Sequence, residues 1–153
     1  MKISILFGCV LGLLISCAHA QNSTVDQTVE IGKNAPDKLL GAWILQIENL
    51  QHQIITTMNI HFSANQADSC LGGKWKKIVV NSHNTSDKKF FPIDQPLSYD
   101  LNKNKLIIGR NEICDAYLHL SGELIDSKAS GEYVKFGWGS KQLGYFSLTR
   151  GGK

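Results

Sequence analysis

An arginine close to the end of this chain falls in step with core hydrophobes, and its placement narrows the fold sharply. The stretch Leu40-Gly41-Ala42-Trp43-Ile44-Leu45-Gln46-Ile47-Glu48 reads as a first strand, and Gly144-Tyr145-Phe146-Ser147-Leu148-Thr149-Arg150 as a last one. In an extended strand, residues two apart share a face. Trp43, Leu45 and Ile47 therefore point one way, and so do Phe146, Leu148 and Arg150. A charge in phase with two core hydrophobes needs a partner, because an unpaired buried charge is costly. The indole of Trp43 supplies one through a cation–π contact, with strand-end carbonyls accepting the remaining N–H groups. Such a pairing requires the first and last strands to meet, which closes a sheet into a barrel.

The sequence between them supports this reading. Ala42–Asn49 is followed across Leu50-Gln51-His52 by a second strand, Gln53–Phe62. Ile54, Thr56, Met58, Ile60 and Phe62 lie on one of its faces, and Thr57, Asn59 and His61 on the other. Lys74–Val80 reads as a third strand and Asn81–Lys89 as a polar loop. Phe90-Phe91 reads as a short edge strand stopped by Pro92 and Pro96. Leu97–Leu101 and Lys105–Gly109 form a hairpin around Asn102-Lys103-Asn104. Ala116–Leu120 continues through Gly122-Glu123-Leu124, and Ala129–Trp138 follows, with Tyr133 opposite in phase to Val134, Phe136 and Trp138. Gly139-Ser140-Lys141 turns the chain into the last strand. About eight short strands with turn signals and no helical period predict one all-β domain over 39–151, an antiparallel up-and-down barrel. Its expected core is Trp43, Leu45, Ile47, Ile54, Met58, Ile60, Leu106, Ile108, Leu118, Phe146 and Leu148.

Residues 1–20 read as an export signal. Met1-Lys2 precedes an apolar run, Ile3 to Ile15, too short to span a bilayer, and Ala18-His19-Ala20 is a small-x-small cleavage site. Cleavage after Ala20 leaves a soluble protein beginning at Gln21. Leu14-Ile15-Ser16-Cys17 also fits a lipobox, and cleavage there leaves a lipid anchor on Cys17. The well-formed Ala-His-Ala site favours the soluble product, periplasmic or extracellular. Residues 21–38 are polar and read as a flexible arm. Cys70 and Cys114 are then an even pair in an oxidising compartment, which predicts one disulfide. Neither cysteine has the basic surroundings of a catalytic thiol; Asp68, Glu112 and Asp115 are their charged neighbours.

Gly41-Ala42-Trp43 with Arg150 resembles the calycin superfamily, the lipocalin-like and avidin-like barrels, in which a Gly-x-Trp on the first strand stacks against a late arginine. The closing runs Leu120-Ser121-Gly122-Glu123-Leu124, Gly131-Glu132-Tyr133 and Gly144-Tyr145-Phe146-Ser147-Leu148 are similar to the final meander of small bacterial lipocalin-like barrels. The resemblance covers Leu40 to Arg150. It implies a lipocalin-like barrel in the cell envelope. The chain lacks further lipocalin fingerprint motifs and a helix before the last strand, which argues against a roomy cavity.

Catalytic constellations are absent. Ser140 in Gly137-Trp138-Gly139-Ser140-Lys141 has no assigned base, and no Gly-rich phosphate loop occurs. His52, His61, His83 and His119 show no zinc spacing, and His61 and His119 read as solvated strand residues. No metal or cofactor is expected. Lys74-Trp75-Lys76-Lys77 and Lys88-Lys89 are the local basic clusters. A net charge of only +3 and an exported setting favour a lysine-decorated strand over a nucleic-acid surface. An enzyme is the least favoured class. One reading is a barrel holding a small apolar or amphipathic ligand, lined by Met58, Phe62, Trp75 and Phe136. Another is a rigid scaffold inhibiting a secreted or host hydrolase. Several bacterial inhibitors of metalloproteases and lysozymes are small disulfide-bonded barrels, some opening on a similar Gly-x-Trp strand, although the cysteines here are spaced more widely than in the metalloprotease inhibitors. A third is a structural envelope accessory. A hollow apolar core favours the first reading, and a filled one either of the others. Intact-mass spectrometry on protein from the native host should place the N-terminus at Gln21 or at a lipidated Cys17, and thiol labelling of the unfolded, unreduced protein should leave Cys70 and Cys114 unmodified. A retained Met1 would overturn the export reading, and labelling of both cysteines the disulfide.

Overall fold

A computed structural model describes residues 38–70, 72–110, 112, 118–137 and 139–151. The expected signal sequence and the arm up to residue 37, along with Cys114 and Trp138, lie outside the described residues. Eight antiparallel strands follow one another around a closed barrel: β1 (Gly41–Asn49), β2 (Ile54–Gln66), β3 (Lys76–Thr85), β4 (Leu97–Asn102), β5 (Lys105–Gly109), β6 (Leu118–Ile125), β7 (Lys128–Lys135) and β8 (Lys141–Arg150). β1 pairs with β2 on one side and with β8 on the other. β1 and β8 alternate buried and more exposed residues, as a one-sided sheet wrapped around a core requires. The β6 and β7 backbones come close together where Gly122 faces Gly131. A Cβ at either would collide with the carbonyl of Ser130 or Ser121, so only glycines let these strands approach so closely.

The core holds ten of the eleven residues expected there in full or in part. Leu118 is only partly buried, packed against the cluster. Ile54 is the exception, at 51% exposed. Ile47 pairs with Thr56, but Glu48 pairs with Ile54. That one-residue bulge reverses the phase, and Ile54 joins Glu48 on the outer face. Thr56, Met58, Ile60 and Phe62, on the far side of the bulge, all point inward and are fully buried.

Three further boundaries differ from expectation. β3 continues to Thr85 through what reads as a polar loop, because its polar residues bond across the ladder. Asn59 Nδ2 donates to Ser82 Oγ at 2.7 Å, and the Thr56 and Thr85 hydroxyls are 2.8 Å apart. Phe90-Phe91 is a turn and not an edge strand. The Asp87 carboxylate accepts from the backbone N–H groups of Lys89 and Phe90, which curls the chain there. β7 ends at Lys135, and Tyr133 is its inward residue, fully buried.

At the closing seam Trp43 is paired with Arg150 in the ladder. The guanidinium carbon lies 4.6 Å from the indole centroid. Arg150 Nη1 donates to Leu40 O at 2.8 Å and Nη2 to Lys38 O at 2.6 Å. The indole N–H donates to Leu39 O at 2.6 Å, and Leu39 is itself fully buried. Gly41 adopts φ +113°, and a Cβ there would press on Arg150 Nη1 at 3.1 Å. The first residue of the Gly-x-Trp triplet is thus set by backbone conformation and by the nearby arginine. Trp43→Ala should cost about 3–5 kcal/mol as a large buried aromatic. Arg150→Ala should cost about 1–2 kcal/mol through the lost stack and hydrogen bonds. The losses should be sub-additive in a urea double-mutant cycle, since each change removes the same contact; additive losses would mean the stack contributes nothing.

Candidate functional site: a sealed barrel and a braced hairpin

Among the described residues the barrel interior is packed with side chains. Leu45, Ile47, Met58, Ile60, Phe62, Leu106, Tyr133 and Leu148 have no accessible surface, so no space large enough for water adjoins them. Near the Trp43 end, Phe62 meets Trp43 edge-on at 6.0 Å and Tyr99 edge-on at 4.8 Å. The Tyr99 hydroxyl donates to Ser63 O at 2.9 Å. Burial pushes the pKa of this phenol up to about 12.

The opposite end is sealed by a residue that the strand reading passed over. Arg110 follows β5, in phase with Leu106 and Ile108, and is fully buried. Its guanidinium lies 4.1 Å from the centre of the Phe91 ring. Nε and Nη2 both donate to Pro92 O, at 3.1 and 2.6 Å. Nη1 is buried without a hydrogen-bond partner. Tyr133 donates to Phe90 O at 2.7 Å, and its ring meets Phe90 and Phe91 edge-on at 5.4 and 5.5 Å. Burial brings the Arg110 pKa down to about 10, an effect opposed by Tyr133. Burial lifts the Tyr133 pKa to about 12, opposed by the Arg110 cation. Phe90, Phe91 and Pro92 form a strap across this end, held through its carbonyls.

The four residues considered for a ligand lining are not brought together. Met58 and Phe62 are fully buried in the filled interior. Trp75 precedes β3 and is buried, with 7% exposure, apart from the core cluster, and its indole N–H donates to Gly72 O at 2.7 Å. Phe136 follows β7 and is 39% exposed. His119 lies between these two aromatics, 5.9 Å from Trp75 and 5.1 Å from Phe136 by ring centres. It is half-buried and not the solvated residue its strand position suggests, and burial pushes its pKa down. Cys70 lies in the β2–β3 connection. A groove of about 490 Å³ lies along β6–β8, bordered by Glu123, Ile125, Lys128, Ala129, Leu148 and Thr149. Among the described residues no three His, Cys, Asp or Glu side chains cluster as metal ligands, and no helix is long and apolar enough to cross a membrane.

The β1–β2 hairpin is an exposed turn held by its own hydrogen bonds. Asn49 Oδ1 accepts from the backbone N–H groups of Gln51 and Gln53, at 2.9 and 3.0 Å, and Asn49 Nδ2 donates to Gln53 Oε1. Asn49 N donates to Gln53 O, and His52 N to Asn49 O. His52 holds φ +60°, stacks on Tyr145 at 4.4 Å and lies 3.0 Å from a Glu48 carboxylate oxygen. On this frame Leu50 is left 48% exposed, with Ile54 close by in sequence. The local signal in the sequence is Asn49, an Asx-turn former placed directly before the turn.

Comparison of the chain with family models, curated proteins and solved structures gives no match. The arrangement itself offers a solid support with a preorganised projecting loop.

Tyr99 and Tyr133 carry a pH signature. Each holds its proton to about pH 12 when folded, against 10.0 ordinarily. Their contribution is fully present below the unfolded value and is lost as pH rises through the folded one. Stability should therefore fall above about pH 10, by at most about 1.4 kcal/mol per pH unit for each tyrosine. Urea denaturation across this range should show a shallower fall for Tyr99→Phe and for Tyr133→Phe; slopes identical to wild type would overturn the assignment.

Proposed function

We propose that this protein is an exported, non-enzymatic scaffold that binds a protein target with its outer surface, as an inhibitor of a secreted or host hydrolase. The observation that carries this reading is the filled interior: a core that admits no water leaves no room for a stored ligand. The β1–β2 hairpin is the contact element. A loop whose backbone is fixed before binding loses little conformational entropy in a complex, and Leu50 at its tip provides an apolar anchor suited to a cleft.

The test is direct. Purified protein should inhibit at least one member of a panel comprising lysozymes, a metalloprotease and serine proteases, with one-to-one stoichiometry. Leu50→Asp should weaken that inhibition by roughly tenfold or more, as expected for an anchor residue, without lowering the melting temperature. Oleate and the dye ANS should not bind the folded barrel. Saturable one-to-one binding of oleate, with no enzyme of the panel inhibited, would overturn the reading in favour of a ligand carrier.

A further inference from the structure

Antiparallel closure puts the end of β1, the start of β2, the ends of β3 and β7 and the start of β8 on one rim of the barrel. The β1–β2 turn therefore has neighbours on both sides. On one side Asn49 is opposite Gly144, and β8 extends past that pair to its first residue, Lys141. Lys141 is paired across the ladder with Lys135, the last residue of β7, and both are exposed. On the other side Ser86 N donates to Ile55 O at 2.9 Å, which brings the chain leaving β3 alongside the start of β2. Lys88 and Lys89 follow, both exposed, in the turn organised by the Asp87 carboxylate.

The barrel gains nothing from the lysine pair on β7 and β8. Like charges directly opposite in a ladder are destabilising. Neither strand is an open edge there, so the guarding role that lysines play on sheet edges does not account for them. Among the described residues none of the four lysines forms an ion pair; the acid–base contacts are His52 with Glu48 and Lys77 with Glu112. The Asp87 carboxylate is engaged by the backbone N–H groups of Lys89 and Phe90. In the ring order β7-β8-β1-β2-β3 the turn carrying Leu50 falls between the two lysine pairs. The apolar side chain at its tip is thus flanked on either side by exposed cations.

We infer that this rim is a single contact face, and that the hydrolase it fits carries carboxylates on both sides of an apolar cleft. The inference rests on the inhibitor reading and supplies the chemistry of its target. Leu50 enters the cleft, and each lysine pair meets one acidic border. Ammonium groups at the border of a contact act chiefly on the rate of encounter and on the choice of partner. An anionic group approaching Lys135 and Lys141 together also relieves their mutual repulsion, so the complex recovers what the free barrel loses there. A target with a basic border meets like charge on both sides of the turn and is rejected.

Stopped-flow inhibition kinetics of the full chain against the panel of lysozymes, a metalloprotease and serine proteases test it. For an enzyme that is inhibited, Lys135→Glu should slow association on the order of tenfold at low salt. The difference should vanish at high salt, where the charges are screened. Lys88→Gln/Lys89→Gln should act in the same direction. Lys135→Glu should at the same time raise the melting temperature, because it sets opposite charges across the ladder. A change that strengthens the fold while slowing association separates contact from structure. Inhibition with association rates unchanged in both variants would overturn this inference and leave the inhibitor reading standing. No inhibition of any enzyme in the panel would overturn both, and binding to phosphatidylglycerol vesicles in that case would assign the rim to an anionic membrane instead.

Discussion

β1 is the strand on which the barrel closes, because it carries hydrogen bonds to β2 on one edge and to β8 on the other. A sheet edge left open presents unpaired backbone groups, and closure removes them. Closure also fixes which residues face inward, since strand alternation is then shared around the ring. The Arg150–Trp43 stack lies on that seam. It holds the ladder where β8 ends and collects the carbonyls of Lys38 and Leu40 from the segment entering β1. The same segment places Leu39 in the core and its carbonyl on the Trp43 indole. Entry segment, seam and core at this end form one cooperative unit.

The other end repeats the device with different parts. Arg110 stacks on Phe91 as Arg150 does on Trp43, and gathers Pro92 O as Arg150 gathers Leu40 O. In each case the guanidinium fastens irregular chain across a barrel end through carbonyls. The two sites differ in solvation. Arg150 is exposed, whereas Arg110 is fully buried with one nitrogen unpaired. A buried cation without a counter-ion is destabilising by several kcal/mol unless dipoles compensate. Among the described residues the Pro92 carbonyl, the Phe91 ring and the Tyr133 hydroxyl surround the cation. Arg110 thus ties the strap to the barrel through Pro92 O, and Tyr133 shares the task through Phe90 O.

Much of this architecture was legible in the alternation of the strands, and the losses have specific causes. Trp43 and Arg150 stood out because Phe146, Leu148 and Arg150 alternate in one phase. Leu106, Ile108 and Arg110 carry the same signature, and applied there it points to the second seal. Ile54 was misplaced because a bulge shifts phase by one residue and leaves no mark in composition. The end of β3 was missed because Asn81 to Thr85 are turn-forming types that here bond across a ladder, which only the partner strand reveals. The braced hairpin was legible as a turn, but its rigidity comes from Tyr145, distant in sequence. Residues grouped as a ligand lining lie on both sides of the wall, since sequence phase alone does not give the depth of an aromatic residue.

A filled barrel moves the question of function to its outside, where the exposed features are unevenly spread. Leu50 and Ile54 flank the β1–β2 hairpin. Their roles are separable by geometry. Ile54 lies on the outer face with Glu48, whereas Leu50 sits at the tip of the turn. Of the two exposed apolar residues, Leu50 is therefore the one placed to enter a cleft.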